Sequence, residues 1–205
     1  MMMERFWMLL GAAGQDKSSV ASADLALIWA SVTNVVPSSV TLALHIFKST
    51  EILASLRASL DQLPDTPSCK ELEAIPLLSS MYAETLRFGV QIHIPRNVPH
   101  HELEVGGVRI QKNKLVMANT WLAHMDEAVW NTNGGKRPLD EFCAERFLVD
   151  PEDPSSGPAK ERVSATPNQK SNNDRVRFST DGLEGGWIPF GGRAALHFYH
   201  HREIG

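Results

Sequence analysis

The feature that most restricts the fold is a long, mostly apolar stretch from Ala23 to Phe47 that has a proline inside it. Small polar residues interrupt the apolar side chains without forming a polar stripe. A helix that is apolar on nearly all sides is normally a buried one. Pro37 lies in the interior of the stretch, where its ring and its missing N–H bend or open an α-helix. The stretch therefore predicts a long, buried helix with a local break.

Two shorter helices are predicted after it. Ser49 or Thr50 can cap a helix that extends to about Leu60. Pro76 occupies a favoured first helical position, and Gly89 is a stop signal thirteen residues later, so a helix is predicted between them. The residues of this helix that are predicted to face a core are Leu77, Leu78, Met81, Tyr82 and Leu86.

Short strands are predicted in the middle of the chain. The segment from Glu102 to Ile110 favours two strands joined by a turn at Gly106-Gly107. A further apolar strand is predicted from Leu115 to Ala118. The fold class predicted from these patterns is mainly α with a small β-sheet.

Residues 151–186 differ from the rest in composition, because Pro, Ser, Gly and Asn contribute 16 of these 36 positions. Such a segment lacks the apolar residues needed to build a core. It is predicted to be a flexible insertion within one domain that covers residues 1–205.

Composition excludes several classes of protein. The formal charge of −4 disfavours a nucleic-acid-binding face. Cys69 and Cys143 have no CxxC spacing, so neither a zinc site nor a disulfide framework is indicated, and an intracellular location is the default. No stretch reaches the ~20 apolar residues of a membrane span, so no transmembrane segment is predicted. The short apolar start, Phe6 to Ala13, is interpreted as part of a buried helix rather than as a signal peptide.

Several motifs follow one another in an informative order. Glu84 and Arg87 alone would be an ordinary helix-surface pair worth ~0.2–0.5 kcal/mol. Here a kinked helix precedes them, and Pro95-Arg96, Ala144-Glu145-Arg146-Phe147 and Trp187-Ile188-Pro189-Phe190-Gly191-Gly192 follow. This succession resembles the C-terminal half of a cytochrome P-450, over residues 20 to 204.

The resemblance implies a heme protein and assigns roles to particular residues. Glu84, Arg87 and Arg146 match a buried triad that fixes the heme-loop side of the core. Arg96 matches an arginine that contacts a heme propionate in relatives, although a solvated arginine after a proline is the alternative. The heme-loop residues matched by the final motif are Phe190, Gly191 and Gly192.

The kinked helix matches the segment beside the heme where relatives deliver protons to oxygen. The matched residues are Ala30, Thr33 at the acid position and Asn34 at the threonine position. The pattern looks like the branch that contains sterol 7-alpha-hydroxylase and prostacyclin synthase. Asn34 is a poor proton carrier; alternatively, its side chain satisfies a carbonyl that Pro37 frees.

The chain departs from the family at the ligand of the iron. The family uses a cysteine thiolate in its heme loop, and this chain has no cysteine after Cys143. Aligned without gaps, His197 falls on the cysteine position and becomes the candidate metal ligand. With a gap, the Cys-Pro-Gly run is deleted instead. Both alignments remove the thiolate and place heme retention in question.

The function implied by the resemblance is that of a heme-dependent monooxygenase acting on a small apolar substrate with electrons from a reductase. Because the axial cysteine is absent, an impaired and truncated member is expected. Two alternatives stay open: a non-catalytic P-450 remnant, and a heme isomerase of the prostacyclin-synthase type, which needs no reductase. Full-length eukaryotic relatives are anchored to the endoplasmic reticulum, and this chain is expected to lack the anchor.

Overall fold

The structure, a computed structural model, describes residues 14, 16–98, 101–161 and 175–190. The chain divides into two compact units, Met1–Lys48 and Ser49–Gly205. Within the described residues the first unit is helical, and the second combines helices with three two-stranded antiparallel sheets. The prediction of a mainly α fold with a small β component is confirmed. The prediction of one domain over 1–205 stays a prediction.

The first unit contains a helix that widens in its middle. Helix α1 (Lys17–Ala30) is followed by a π-helical turn (Ser31–Val35) and by helix α2 (Val36–Lys48). The π turn, with its i→i+5 hydrogen-bond spacing, ends two residues before Pro37. The ring of Pro37 would clash with a regular preceding turn. The predicted break is therefore present, as a π turn.

The same helical region corrects two expectations from the sequence. The helix is predicted to be buried, but none of residues 23–47 is buried, and Leu25, Trp29 and Phe47 are each 68% exposed. The continuous helical segment Ser18–Lys48 has 31 residues and is long and apolar enough to cross a membrane. The criterion of ~20 uninterrupted apolar residues misses it because small polar residues interrupt the apolar ones. Length and composition are weak evidence by themselves, since the core helix of a soluble protein passes the same test.

The predicted helices of the second unit are present, with an additional short one. Helix α3 (Thr50–Leu60) is capped by Ser49, whose side chain accepts a hydrogen bond from the Ile52 amide. Helix α4 (Cys69–Glu73) begins with a reciprocal capping box between Ser68 and Glu71. Helix α5 (Pro76–Gly89) has its proline in the first turn, as predicted.

Helix α5 is the central element of the second unit. Its buried residues are Ser80, Met81, Ala83, Glu84, Thr85, Leu86 and Arg87. Met81 and Leu86 face the core as predicted, whereas the same prediction is wrong for Tyr82, which is 50% exposed. The buried side of this turn includes the polar residues Ser80 and Glu84 and excludes Tyr82. A prediction from apolar character alone therefore placed the buried face wrongly.

The strands form three separate pairs. Strand β1 (His93–Asn97) pairs with β4 (Leu115–Asn119), and β2 (Leu103–Val105) pairs with β3 (Val108–Ile110) across the predicted Gly-Gly turn. Gly106 and Gly107 both have positive φ, at 56° and 78°, which only glycine adopts without strain. Helix α6 (Thr120–His124) follows β4 directly.

The third pair lies in the range predicted to be a flexible insertion. Strand β5 (Leu148–Val149) pairs with β6 (Arg177–Phe178), and Leu183 is buried in the core. Residues 156–158 are buried as well. A few residues of 151–186 are therefore buried, whereas most of its described residues are exposed, and the flexible insertion stays a prediction. Residues 162–174 lie outside the described part of the chain.

One aromatic core joins these segments. The Phe147 ring lies 5.7 Å from Trp130, 6.0 Å from Phe178 and 5.7 Å from Trp187, measured between ring centroids. Trp130 and Phe147 are fully buried. The aromatic core thus packs the segment after β6 against the segments on either side of Arg146.

Candidate functional site

Helix α5 brings two of the predicted site residues to the same buried face. Glu84 and Arg87 are three residues apart, and residues at this spacing are neighbours on a helix surface. Ser80 lies one turn before Glu84 on that face. All three side chains are fully buried, so this is a charged cluster in the interior and needs internal partners for each polar atom.

Glu84 receives four N–H groups. Its Oε2 accepts from Arg87 Nε at 2.7 Å, and its Oε1 accepts from Arg87 Nη2 at 2.8 Å. Oε1 also accepts from Arg146 Nε and from the Cys143 amide, both at 3.0 Å. The bidentate pair on Arg87 matches the planar geometry of guanidinium and carboxylate. The structure therefore places Glu84, Arg87 and Arg146 together.

Arg146 extends the network into the loop before it. Its guanidinium, fully buried, donates beyond Glu84 to main-chain carbonyl groups. These acceptors are Arg137 at 3.1 Å, Pro138 at 2.8 Å and Glu141 at 3.2 Å. Two arginines against one glutamate leave one positive charge in excess, and the negative ends of these carbonyl dipoles offset it. Arg146 thereby fixes the path of residues 137–141.

Arg87 and His124 are joined by two reciprocal contacts, in which each side chain reaches the main-chain carbonyl of the other residue. Arg87 Nη1 donates to the His124 carbonyl at 3.0 Å, and His124 Nδ1 lies 3.0 Å from the Arg87 carbonyl. The Arg87 guanidinium carbon also lies 5.4 Å from the centroid of the Trp130 ring, within the range of a cation–π contact. The C-terminal end of α5 is thus fastened to the C-terminal end of α6.

His124 has a second contact through its other ring nitrogen. Its Nε2 accepts a hydrogen bond from the Ile188 amide at 3.1 Å. The pKa of His124 is lowered to about 4, chiefly by burial; the hydrogen bond to the Arg87 carbonyl opposes this, the charge of Arg87 adds to it, and the charge of Glu84 opposes it. A histidine with that pKa is neutral at physiological pH.

The candidate heme-contact residues that the structure describes are exposed. Arg96 is exposed on β1, and its Nη1 donates to the carbonyl of Pro95 at 2.9 Å. Phe190 is exposed at the end of the described part of the chain. Gly191, Gly192 and His197 lie outside the described residues.

The candidate proton-delivery residues lie in and beside the π turn of the first unit. Thr33 Oγ1 donates to the Trp29 carbonyl at 2.8 Å, and Asn34 Nδ2 donates to the Ala30 carbonyl at 2.9 Å. Thr33 and Asn34 are exposed. Both side chains therefore satisfy carbonyl groups of their own helix, at the place where the i→i+5 spacing alters the regular ladder. The acceptor of Asn34 is the carbonyl of Ala30 and not that of Thr33, which lies four residues before Pro37, so both interpretations of Asn34 stay predictions.

Two features of this site were not predicted from the sequence. Ser80 Oγ donates to the Ala144 carbonyl at 2.6 Å and accepts from the Phe147 amide at 3.1 Å, on both sides of Arg146. The second feature is the bond between His124 and Ile188, which lie 64 positions apart. The sequence signal for the first feature is the polar serine one turn before Glu84. No local pattern signals the second feature.

Comparison with known proteins identifies the class. Residues 16–161 match the family model for cytochrome P450, and the chain belongs to the cytochrome P450 family. The matched segment includes the kinked helix, α5 and the loop that carries Arg146.

Fungal proteins of this family resemble the chain over most of its length. It is 34% identical over 196 residues to cytochrome P450 monooxygenase efuG of Hormonema carpetanum, an alignment that covers 88% of this chain and 34% of that protein. It is also 34% identical over 197 residues to cytochrome P450 monooxygenase fsoE of Humicola fuscoatra, covering 88% and 33% respectively. Geraniol 8-hydroxylase of Swertia mussotii is 34% identical over 109 residues, covering 51% and 21%. The chain spans about a third of the length of the fungal relatives.

The residues present do not fit a thiolate-ligated heme. Arg96 offers an exposed guanidinium suited to a propionate. The chain has two cysteines only, and neither is placed in a heme loop. Cys69 is exposed at the first position of α4, and the Cys143 amide is bonded to Glu84. The cofactor implied by the family therefore has a candidate anion partner here but no thiolate.

Proposed function

We propose that this chain supplies the triad and the heme-loop side of a heme-dependent monooxygenase. Enzymes of this class insert one atom of O2 into a small apolar substrate, and a reductase supplies the electrons. The observation that carries the proposal is the buried network in which Glu84 holds both Arg87 and Arg146. A location at the endoplasmic reticulum belongs to the proposal and rests on the family alone.

The chemistry of the network supports a scaffold role. Its members are buried, hydrogen-bonded and without access to solvent, so they do not contact a substrate. They fix α5, residues 137–141 and the segment at Ile188 relative to one another. Such rigidity suits a loop that has to hold a large cofactor at a defined position.

The missing thiolate favours a second candidate function, that of a non-catalytic member of the family. The thiolate supplies the electron density needed for O–O cleavage in this class, and an imidazole does not. If His197 took the place of the cysteine, the chain could hold heme without oxygenating a substrate. The heme-isomerase alternative stays open, and it rests on Asn34 at the threonine position of the kinked helix.

Titration with hemin tests the proposal. We expect the chain to bind hemin weakly and equally in the wild type and in the His197→Ala variant, because it spans about a third of the fungal relatives. Arg96→Ala is the second variant, and it should weaken binding further if this guanidinium meets a propionate. A histidine-ligated spectrum that disappears in His197→Ala would instead establish His197 as the iron ligand.

The spectrum of the reduced protein with CO reports the ligand of the iron, and turnover assays separate the candidate functions. We expect no thiolate-type band, since no cysteine follows Cys143. Hydroxylation of an apolar substrate by this chain with NADPH and a reductase would contradict the non-catalytic alternative. Turnover of a peroxide substrate without NADPH would favour the isomerase.

A further inference from the structure

The imidazole of His124 occupies a junction between three segments of the second unit. It lies at the C-terminal end of α6, it contacts the carbonyl at the end of α5, and it contacts the amide of Ile188. The two distances, 3.0 Å to Arg87 O and 3.1 Å to Ile188 N, are ordinary hydrogen-bond lengths. The side chain is fully buried, so water does not compete for either nitrogen.

The two partners determine which ring nitrogen carries the proton. A carbonyl oxygen only accepts, so the Nδ1 that faces Arg87 O is the donor. A backbone N–H only donates, so the Nε2 that faces Ile188 N has a free lone pair. The ring is therefore neutral, with its proton on Nδ1. With a proton on Nε2, the ring N–H and the Ile188 N–H would point at each other, and the contact with Ile188 would be lost.

Ile188 is the last residue before Phe190 that carries a backbone N–H. Pro189 follows it and has no N–H. The preceding Trp187 amide is bonded to the Leu183 carbonyl at 3.1 Å, within its own turn. The amide of Ile188 is thus the main-chain donor that links the segment leading to Phe190 to another element.

We propose that His124, as the neutral Nδ1–H tautomer, is a positioning residue that holds the Ile188–Phe190 segment to the helix that carries Glu84 and Arg87. The reciprocal bond from Arg87 Nη1 to the His124 carbonyl fixes the histidine backbone at the same time. The charged cluster therefore orients the ring, and the ring orients the segment that precedes Gly191-Gly192. The importance of this link for a heme loop rests on the proposed function, but the link itself does not.

Nitrogen NMR on the uniformly ¹⁵N-labelled 205-residue chain tests the tautomer and the bond directly. We expect the His124 ring to show the Nδ1–H pattern and a scalar coupling across the hydrogen bond between Nε2 and the Ile188 amide nitrogen. An Nε2–H tautomer, or the absence of that coupling, overturns the proposal. Hemin is not added, so a failure of heme binding leaves this result readable.

Two substitutions whose side chains differ in length distinguish a positioning role of His124 from a role in which it only fills space. In His124→Gln the longer side chain can place an oxygen near the former Nε2, whereas in His124→Asn the shorter one reaches only the former Nδ1. We expect hydrogen exchange of the Ile188 amide to become roughly tenfold faster in the Asn variant, with partial rescue in the Gln variant. Equal exchange rates in the wild type and both variants would contradict the role.

The matched control is His93→Asn. His93 is an exposed histidine of β1, and its Nε2 lies 3.4 Å from Asn119 Nδ2. Exchange at Ile188 should be unchanged in this variant. An equal acceleration in His93→Asn and His124→Asn would show a general loss of stability and overturn a specific link.

Discussion

At the scale of single residues, substitutions in the buried ionic network are expected to cause the largest losses in the free energy of unfolding. Arg87→Ala removes two hydrogen bonds to Glu84 and leaves a buried carboxylate with fewer donors. We expect the free energy of unfolding to fall by about 3–5 kcal/mol, the range for orphaning one partner of a buried ion pair. Urea denaturation of the wild type and the variant measures this difference.

An exposed ion pair of the same chain is the control for this prediction. Arg109 Nε lies 3.6 Å from Glu102 Oε2, with side chains 75% and 55% exposed. Arg109→Ala should therefore change the free energy of unfolding by less than about 1 kcal/mol. A loss below about 0.5 kcal/mol for Arg87→Ala, similar to a surface substitution, would contradict the burial of the network.

The histidine predicts a dependence of stability on pH. In the folded chain the pKa of His124 is lowered to about 4 from its ordinary value of 6.5. As the pH falls below 6.5, the unfolded chain binds a proton that the folded chain does not bind until about pH 4. The contribution of His124 to stability is therefore complete above 6.5 and is lost progressively towards 4, up to a total of about 3 kcal/mol.

The comparison with His124→Gln measures this contribution. Glutamine does not titrate, so its free energy of unfolding should fall less than that of the wild type between about pH 7 and about pH 4.5. The charged groups that face the ring, Arg87 and Glu84, are the same in both proteins. Parallel pH profiles would show that His124 takes up its proton at the same pH in the folded and the unfolded chain, contrary to the hydrogen bond from Ile188.

Sequence order was informative at this scale where the residues form a motif. Glu84, Arg87 and Arg146 could be proposed as a group because the spacing and order of their motifs resemble those of a known family. The bond between His124 and Ile188 joins positions 64 residues apart, and neither residue type demands the other. Only the packed structure places them together.

At the scale of elements, Ser80 is the joint between α5 and the loop that carries Arg146. Its buried hydroxyl donates to the Ala144 carbonyl and accepts from the Phe147 amide. Ser80→Ala leaves both main-chain groups without that partner, so we expect a loss of about 1–3 kcal/mol in unfolding free energy. Thermal or urea unfolding measures it.

The neighbouring serine provides a matched control on the same helix. Ser79 Oγ donates to the Glu73 carbonyl at 2.8 Å, in a partly exposed position. Ser79→Ala has the same chemistry and the same effect on helix propensity, but water can replace the lost bond. A loss for Ser79→Ala as large as that for Ser80→Ala would contradict the special role of the buried hydroxyl.

Elements were predictable where local chemistry determines them. The β2–β3 turn follows from Gly106-Gly107, and α5 follows from Pro76. Strand β1 is not among the predicted strands, and its Pro95 lacks the N–H that a strand interior uses. Within the described residues β1 pairs only with β4, so its second edge does not need that N–H. The π turn could be predicted only as a break at Pro37, since several backbone geometries accommodate a proline.

At the scale of the whole molecule, the open question is whether this chain can support heme ligation when the rest of a relative surrounds it. The alignment with efuG covers 34% of that protein, so the matching third can be exchanged for this chain in a chimera. We expect the chimera to fold, because the triad and its carbonyl partners are retained, but to lack the thiolate-type band with CO. The unaltered relative, prepared in the same way, is the control.

Two repairs of the chimera distinguish the two alignments of the heme loop. His197→Cys places a thiolate at the position given by the ungapped alignment, and insertion of Cys-Pro-Gly after Leu196 restores a deleted run. We expect the insertion to restore the band, because His197-Phe198 then keeps its match to the sequence that follows Cys-Pro-Gly in the family. The substitution should fail, since Tyr199 still occupies the second glycine position of the loop in that variant alone and a side chain there crowds the backbone. A thiolate-type band in the unrepaired chimera, or its recovery with His197→Cys alone, would contradict the deletion.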